Sequence, residues 1–123
     1  MLLTLFAMRD APLTVTVKSG QHEGTTVLEL RGPLTLQNTF NFQNDLAQHK
    51  PAVLILDLTE SPYMDSAGLG LLMNYYVSAE KNGRKLLLAG VNERVRALLE
   101  MTRVNLILKN YATVAEAEGA GRT

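Results

Sequence analysis

The feature that most constrains the fold of this chain is an apolar run that leads through a short turn into a helical pattern. Residues 53–58 read VLILDL, which is typical of a strand buried on both faces of a parallel sheet. Beyond the turn, apolar residues recur at the i, i+3, i+4, i+7 spacing of a helix core stripe, at Leu69, Leu72, Met73 and Tyr76. The junction between strand and helix falls at Asp65-Ser66.

Similar patterns continue on both sides of this unit. Alternating residues predict strands at 13–18 and 26–31, and shorter apolar runs predict strands at 85–90 and 105–108. Helices are predicted at 36–47, 92–102 and 112–118, with Thr35 and Asn92 as N-caps and Asn82-Gly83 as the stop of the helix after Ser66. In the first of these helices, the residues that keep helical spacing are Leu36, Phe40, Gln43, Leu46 and Ala47. The order predicts an α/β fold: a small mixed β-sheet, with an antiparallel N-terminal hairpin followed by parallel strands, and helices packed on it.

The 123 residues suffice for one domain. We expect an N-terminal extension at 1–12, the domain at 13–118 and a loose tail at 119–123. The apolar stretch 1–8 is stopped by Arg9-Asp10, so we expect neither a signal peptide nor membrane insertion, and a cytoplasmic protein.

The amino-acid composition argues against several classes of function. Twelve basic and twelve acidic residues cancel, which argues against binding nucleic acid through its phosphates. No cysteine is present, and His22 and His49 lie far apart, so we expect no metal site. The glycines at 68 and 70 complete neither a dinucleotide loop nor a P-loop, and Ser66 lacks the glycine flanks of a nucleophile elbow. We therefore expect a protein that is not an enzyme and carries no cofactor.

Two interpretations of Ser66 follow from its position at a predicted helix N-terminus. Unpaired N–H groups and the helix dipole favour negative charge at such a place. The Asp65-Ser66 pair can serve simply as a helix cap, with Gly68 and Gly70 allowing close approach to the sheet. Alternatively, the Ser66 hydroxyl can be a site where phosphate is added.

The segment 63–70, YMDSAGLG, resembles the signature of the STAS domain, the sulfate transporter and anti-sigma factor antagonist family. The strand carrying Asp57, the segment Gly83-Arg84-Lys85 and the helix from Asn92 to Met101 also match, so the resemblance covers residues 13–118. A free-standing domain of this kind is similar to the bacterial anti-sigma factor antagonists.

That resemblance implies a phosphorylation-controlled protein–protein switch. The family's modified serine falls on Ser66, and the implied partner is an anti-sigma factor that is itself a serine kinase. The unphosphorylated form would bind the kinase and release the sigma factor, phosphorylation would end the binding, and a serine phosphatase would reverse it. A dianion desolvated at the interface can weaken binding without a change of fold.

This sequence departs from the family pattern at two positions. Ala67 stands where a second Ser or Thr is usual, so Ser66 is the only hydroxyl in the turn. Thr35 stands where an aspartate near the phosphosite is common, and we expect Thr35 to cap its helix instead. Two alternatives remain open: an unmodified STAS subunit of a membrane transporter assembly, and a nucleotide-binding STAS protein.

Leu71 and Tyr75 form an i, i+4 pair outside the core stripe. The pair can be a partner face, a contact in a weak homodimer, or a surface buried under the terminal segment or under the neighbouring helix. The predicted partner-binding residues are Asp65, Ser66, Ala67, Gly68, Leu71 and Tyr75.

Overall fold

The computed structural model describes residues 11–121, so residues 1–10 of the predicted extension and the last two of the predicted tail lie outside the described part. The strands are β1 (Thr14–Ser19), β2 (Thr25–Arg31), β3 (Val53–Glu60), β4 (Lys85–Ala89) and β5 (Asn110–Tyr111). The helices are α1 (Leu36–Gln48), α2 (Ser66–Lys81), α3 (Glu93–Met101) and α4 (Val114–Gly121), with a 3₁₀ turn at Val104–Leu106.

The strands form one sheet in the order β1-β2-β3-β4-β5. β1 and β2 pair antiparallel, and the other neighbours pair parallel, with Val53 of β3 opposite Thr25 of β2 and Lys85 of β4. This confirms the predicted mixed sheet with β3 at its centre.

Both faces of the sheet are covered by helices. Because successive side chains of a strand point to opposite faces, β3 contributes to both cores. On one face, Leu54, Leu56 and Leu58 of β3 belong to the core that includes residues of α1, α2 and α3. On the other face, Val53 and Ile55 belong to a smaller core with α4. The first four residues of β3, Val53 to Leu56, are therefore all apolar, because this part of the strand is buried on both sides.

The residues that keep helical spacing in α1 do not mark one buried side of the helix. Phe42 and Leu46 are the buried residues of α1, whereas Leu36 is 67% and Phe40 74% exposed. Two sets of apolar residues share this helix, and the spacing alone does not tell which set faces the sheet.

The predicted strand at 105–108 was wrong. The chain reverses at Arg103, which has φ +62°, and continues as the 3₁₀ turn, so pairing with β4 begins only at Asn110. Leu108 is buried, but Leu106 and Ile107 are exposed. At the C-terminus, α4 extends to Gly121, three residues beyond the predicted end at Glu118, so residues 119–121 of the predicted loose tail are helical.

Candidate functional site

The site lies where the segments that follow β2 and β3 run side by side. Leu34 and Met64 form an isolated parallel bridge. The Leu34 N–H donates to the Tyr63 carbonyl at 2.9 Å, and the Asp65 N–H donates to the Leu34 carbonyl at 3.2 Å. These bonds bring the N-termini of α1 and α2 next to each other at the carboxyl edge of the sheet.

Asp65 caps both helices. One carboxylate oxygen, Oδ1, accepts from the Gly68 N–H of α2 at 3.0 Å, and the other, Oδ2, accepts from the Leu36 N–H of α1 at 3.1 Å. Both N–H groups lie in first turns, where no intrahelical acceptor exists. Because both oxygens of Asp65 are engaged, its role in this structure is to join the two helix ends.

Ser66 is the first residue of α2, and its side chain is exposed. Within residues 11–121, its hydroxyl makes no hydrogen bond, since the capping of α2 is performed by Asp65. The Ser66 hydroxyl is therefore open to solvent at the positive end of a helix of 16 residues. The predicted placement of Ser66 at the first helical turn is confirmed.

The two glycines of the turn have different roles. A Cβ built at Gly68 would overlap the carbonyl oxygen of Leu34 and lie 2.9 Å from its Cγ, so the absence of a side chain lets α2 approach the segment before α1. A Cβ at Gly70 would meet nothing within 4 Å. Gly68 is buried in the contact between the two segments, whereas Ala67 is half-buried and Gly70 is exposed.

Thr35 does not cap α1 with its side chain, contrary to the prediction. It occupies the N-cap position in an extended conformation, but it makes no side-chain capping bond, and it is buried. The carboxylate that α1 needs at its first turn comes instead from Asp65. Nearby, the Asn38 side-chain amide donates to the Pro33 carbonyl at 2.8 Å, which ties the first turn of α1 to its entry segment.

Tyr75 is a buried residue that borders the same groove as Leu71, and its place among the partner-binding residues stays a prediction. Its hydroxyl donates to the His49 carbonyl at 2.9 Å and accepts from the Arg84 guanidinium at 3.1 Å. Burial raises the pKa of Tyr75 above its usual value, although the nearby Arg84 charge acts in the opposite direction. Of the two residues in the pair, Leu71 is the one that stays half-buried, beside a groove between α1 and α2.

The other side of the site is formed by α3. The Asn92 side-chain amide donates to the Pro62 carbonyl at 3.0 Å, while its oxygen accepts from the Val95 N–H at 2.9 Å, confirming the predicted cap. The Arg94 guanidinium lies 6.0 Å from the centre of the Tyr63 ring. Sequence reasoning found the Asn92 cap, but it gave no signal that Arg94 would lie against Tyr63.

At the amino edge of the sheet, Glu118 of α4 holds the turn between β1 and β2. Its buried carboxylate accepts from the Gln21 N–H at 2.7 Å and lies 3.3 Å from both the N–H and the Nδ1 of His22. Burial acts to raise the pKa of Glu118, but these hydrogen bonds outweigh it and hold the pKa below its usual value. This cluster is remote from Ser66 and serves to anchor the hairpin.

Within residues 11–121, no three His, Asp or Glu side chains are grouped so that they could hold a metal ion. No helix in that range has both the length and the apolar character needed to cross a membrane.

Comparisons with known proteins agree with this fold. Residues 16–117 match the family model of the STAS domain, and the chain belongs to the STAS domain family. It is 36% identical over 67 residues to the anti-sigma-B factor antagonist of Listeria monocytogenes, an alignment that covers 54% of this chain and 59% of that protein. It is 25% identical over 103 residues to the anti-sigma F factor antagonist of Paenibacillus polymyxa, covering 80% of this chain and 88% of the relative.

The structure is similar to the crystal structure of an anti-sigma factor antagonist from Mycobacterium paratuberculosis, with a TM-score of 0.79 and 20% identity over 91% of this chain and 96% of that one. At that identity, the likeness establishes the fold. The alignment to the Listeria relative spans less than two thirds of its length, at 59%. The chain is thus a STAS domain similar to the bacterial anti-sigma factor antagonists.

Proposed function

We propose that this chain is a non-catalytic anti-sigma factor antagonist of the cytoplasm, switched by phosphorylation of Ser66. In its unphosphorylated form it binds an anti-sigma factor that is a serine kinase, and so releases a sigma factor for transcription. Phosphorylation of Ser66 by that kinase ends the binding, and a serine phosphatase restores it. The kinase brings its own ATP and magnesium, so the chain itself needs no cofactor.

The observation that carries this proposal is the separation of two roles between neighbouring residues. Asp65 caps α1 and α2, whereas Ser66 is exposed and contributes no hydrogen bond from its hydroxyl within the described residues. A kinase can therefore reach Ser66, and a phosphate there breaks no bond made by the serine hydroxyl. The relatives named as antagonists supply the class of partner.

Electrostatics explains why the phosphate would act on binding and not on folding. A phosphate adds about 1.5 to 2 negative charges, which the N-terminus of α2 tolerates in water. Under a partner, the same group must lose its water, and the Asp65 carboxylate beside it adds repulsion. A loss of about 3 kcal/mol at the interface is enough to weaken binding by more than a hundredfold.

The test uses the full chain and a purified anti-sigma factor serine kinase from the same organism. Peptide mapping after incubation with Mg-ATP should find phosphate on Ser66 and none in the Ser66→Ala variant. In calorimetric titration, Ser66→Ala should bind the kinase at least as tightly as wild type, and Ser66→Asp at least about tenfold more weakly. Melting temperatures of both variants should stay within a few degrees of wild type.

Ser19→Asp is the matched control, because Ser19 is an exposed serine at the amino edge of the sheet, opposite Thr26. It should bind as wild type does. Equal binding by wild type and Ser66→Asp would exclude an electrostatic switch at this turn and favour a structural subunit that is never modified. Phosphate incorporated by Ser66→Ala to the wild-type extent would assign the modification to another residue.

A further inference from the structure

The largest apolar side chains exposed near Ser66 are not those that sequence analysis assigned to the partner. Leu36 is 67% and Phe40 is 74% exposed, one turn apart on α1, and we refer to this pair as the α1 ridge. Single exposed apolar residues are normal on proteins, so exposure alone does not mark a binding surface. The position of this pair relative to Ser66 is what gives it meaning.

The α1 ridge begins directly beside the candidate phosphosite. The Leu36 N–H is bound to the carboxylate of Asp65 at 3.1 Å, and Asp65 precedes Ser66 in the chain. Phe40 lies one turn further along, about 6 Å by helix geometry. We therefore expect a folded partner whose active site closes over Ser66 to cover Leu36 as well, and a footprint of ordinary size, about 800 Å² on each partner, to reach Phe40.

Beyond the α1 ridge, a surface of mixed apolar and polar residues continues along the helix pair. Ala47 follows Phe40 by seven residues, on the same side of α1. A shallow groove of about 180 Å³ lies between the helices and is lined by Ala47, Gln43 and Leu71. The first turn of α1 carries no charged side chain, but Asp45 lies in its last turn, and Lys50 and Arg84 also line the groove, so within α1 only the end next to Ser66 is uncharged.

We infer that the α1 ridge is the permanent half of the kinase-binding surface, seated in an apolar pocket beside the active site of the kinase. This inference rests on the proposed function and adds which residues hold the kinase and which residue controls the binding. Leu36 and Phe40 supply affinity that does not depend on phosphorylation. The phosphate on Ser66 supplies the negative charge that outweighs this affinity.

The size of the α1 ridge favours this occupant over a second copy of the chain. Two side chains of this kind offer roughly 300 Å², well below the about 800 Å² per partner of a stable interface. The ridge is thus too small to hold a dimer by itself, but it fits within a larger footprint centred on Ser66. Buried aromatic and aliphatic anchors next to a polar contact are where binding energy concentrates.

The test compares two surface variants with a matched control. Leu36→Gln and Phe40→Gln replace exposed apolar residues with a good helix former and leave the backbone cap at Leu36 in place. Met101→Gln makes the same change at a residue that is 82% exposed at the far end of α3, away from Ser66. Each full-length variant is titrated with the purified kinase and used as its substrate.

We expect Leu36→Gln and Phe40→Gln each to weaken kinase binding at least about tenfold, and to raise the KM for Ser66 phosphorylation while kcat stays near wild type. Met101→Gln should leave both quantities unchanged. If both ridge variants bind as wild type does while Ser66→Asp loses binding, this inference is wrong and the proposed function stands. If Ser66→Asp also binds as wild type does, the proposed function itself fails.

Two further readouts identify other occupants of the α1 ridge. Sedimentation that shows a wild-type dimer and a Phe40→Gln monomer, with kinase binding unchanged, would assign the ridge to a second copy and overturn the inference. A drop in the melting temperature of Phe40→Gln by more than about 5 °C would show that the ridge is covered within the chain, and would overturn it as well.

Discussion

The backbone N–H of Leu36 and the carboxylate of Asp65 are joined by a 3.1 Å hydrogen bond that links the start of α1 to the start of α2. The same carboxylate caps its own helix at Gly68. The residue before the candidate phosphosite is thus a structural residue shared by two helices. Substitutions at positions 65 and 66 should therefore have different consequences.

Replacing Asp65 should lower stability, whereas replacing Ser66 should not. Asp65→Ala removes both capping bonds, and we expect it to lower the free energy of unfolding by about 2 kcal/mol. Asp65→Asn keeps only one acceptor oxygen, so its cost should be about half of that. Urea unfolding of the purified variants measures both. Glu80→Ala, an exposed change on the same helix, is the control, and an Asp65→Ala variant as stable as Glu80→Ala would contradict the double cap.

The two glycines near Ser66 should respond in opposite directions to alanine. Gly68→Ala places a methyl group against the Leu34 backbone, and we expect a loss of about 1–3 kcal/mol from overpacking. Gly70→Ala meets only open space within a helix, and should gain about 0.5–1 kcal/mol through lower backbone entropy in the unfolded chain. Thermal melts of Gly68→Ala and Gly70→Ala test this prediction. Equal changes in the two melting temperatures would mean that Gly68 is not held against Leu34.

The Tyr75→Phe variant tests whether Tyr75 stabilises the fold or contacts the kinase. The variant loses the hydrogen bonds to the His49 carbonyl and from Arg84, and we expect it to cost about 1 kcal/mol of stability. Because Tyr75 is buried, kinase affinity should stay at the wild-type value. Urea unfolding and titration of the same sample test both statements. A kinase affinity that falls tenfold without loss of stability would place Tyr75 on the partner surface.

The pH dependence of stability should include a contribution from Glu118. Its pKa is lowered in the folded protein, so the ionised form stabilises the fold above the ordinary carboxyl pKa of 4.5, and this stabilisation is lost as the pH falls through the lower folded value. Glu118→Gln should therefore be less stable than wild type at pH 7, by about 1–3 kcal/mol for lost charged hydrogen bonds. The difference should shrink in acid, below the folded pKa.

Urea unfolding at several pH values measures this gap. Glu23→Gln in the same hairpin turn removes an exposed carboxylate and should have the same stability as wild type at every pH. A gap between wild type and Glu118→Gln that stays constant from pH 7 into strong acid would show that the Glu118 charge contributes nothing to the fold.

Much of the local structure follows from residue spacing. Alternation predicts β1 and β2, the VLILDL run predicts β3, and the cap at Asn92 and the stop at Gly83, with φ +70°, follow from residue type. One local signal was missed. The Thr113 hydroxyl accepts from the Glu116 N–H at 3.1 Å, as the T-x-x-E pattern of a capping box predicts, while the Glu116 carboxylate accepts from the Ala112 N–H at 3.2 Å, one residue before the N-cap.

The sequence by itself determined the order of strands and helices, the mixed sheet and the position of Ser66 at a helix start, because each depends on spacing within a few residues. Tertiary structure alone decided which apolar set of α1 faces the sheet, and hence that Phe42 is buried and Phe40 exposed. It also decided that Asp65, and not Thr35, caps α1, since that bond joins residues 29 apart in the chain. Such choices depend on how separate segments fill the space between them, and no local pattern contains that information.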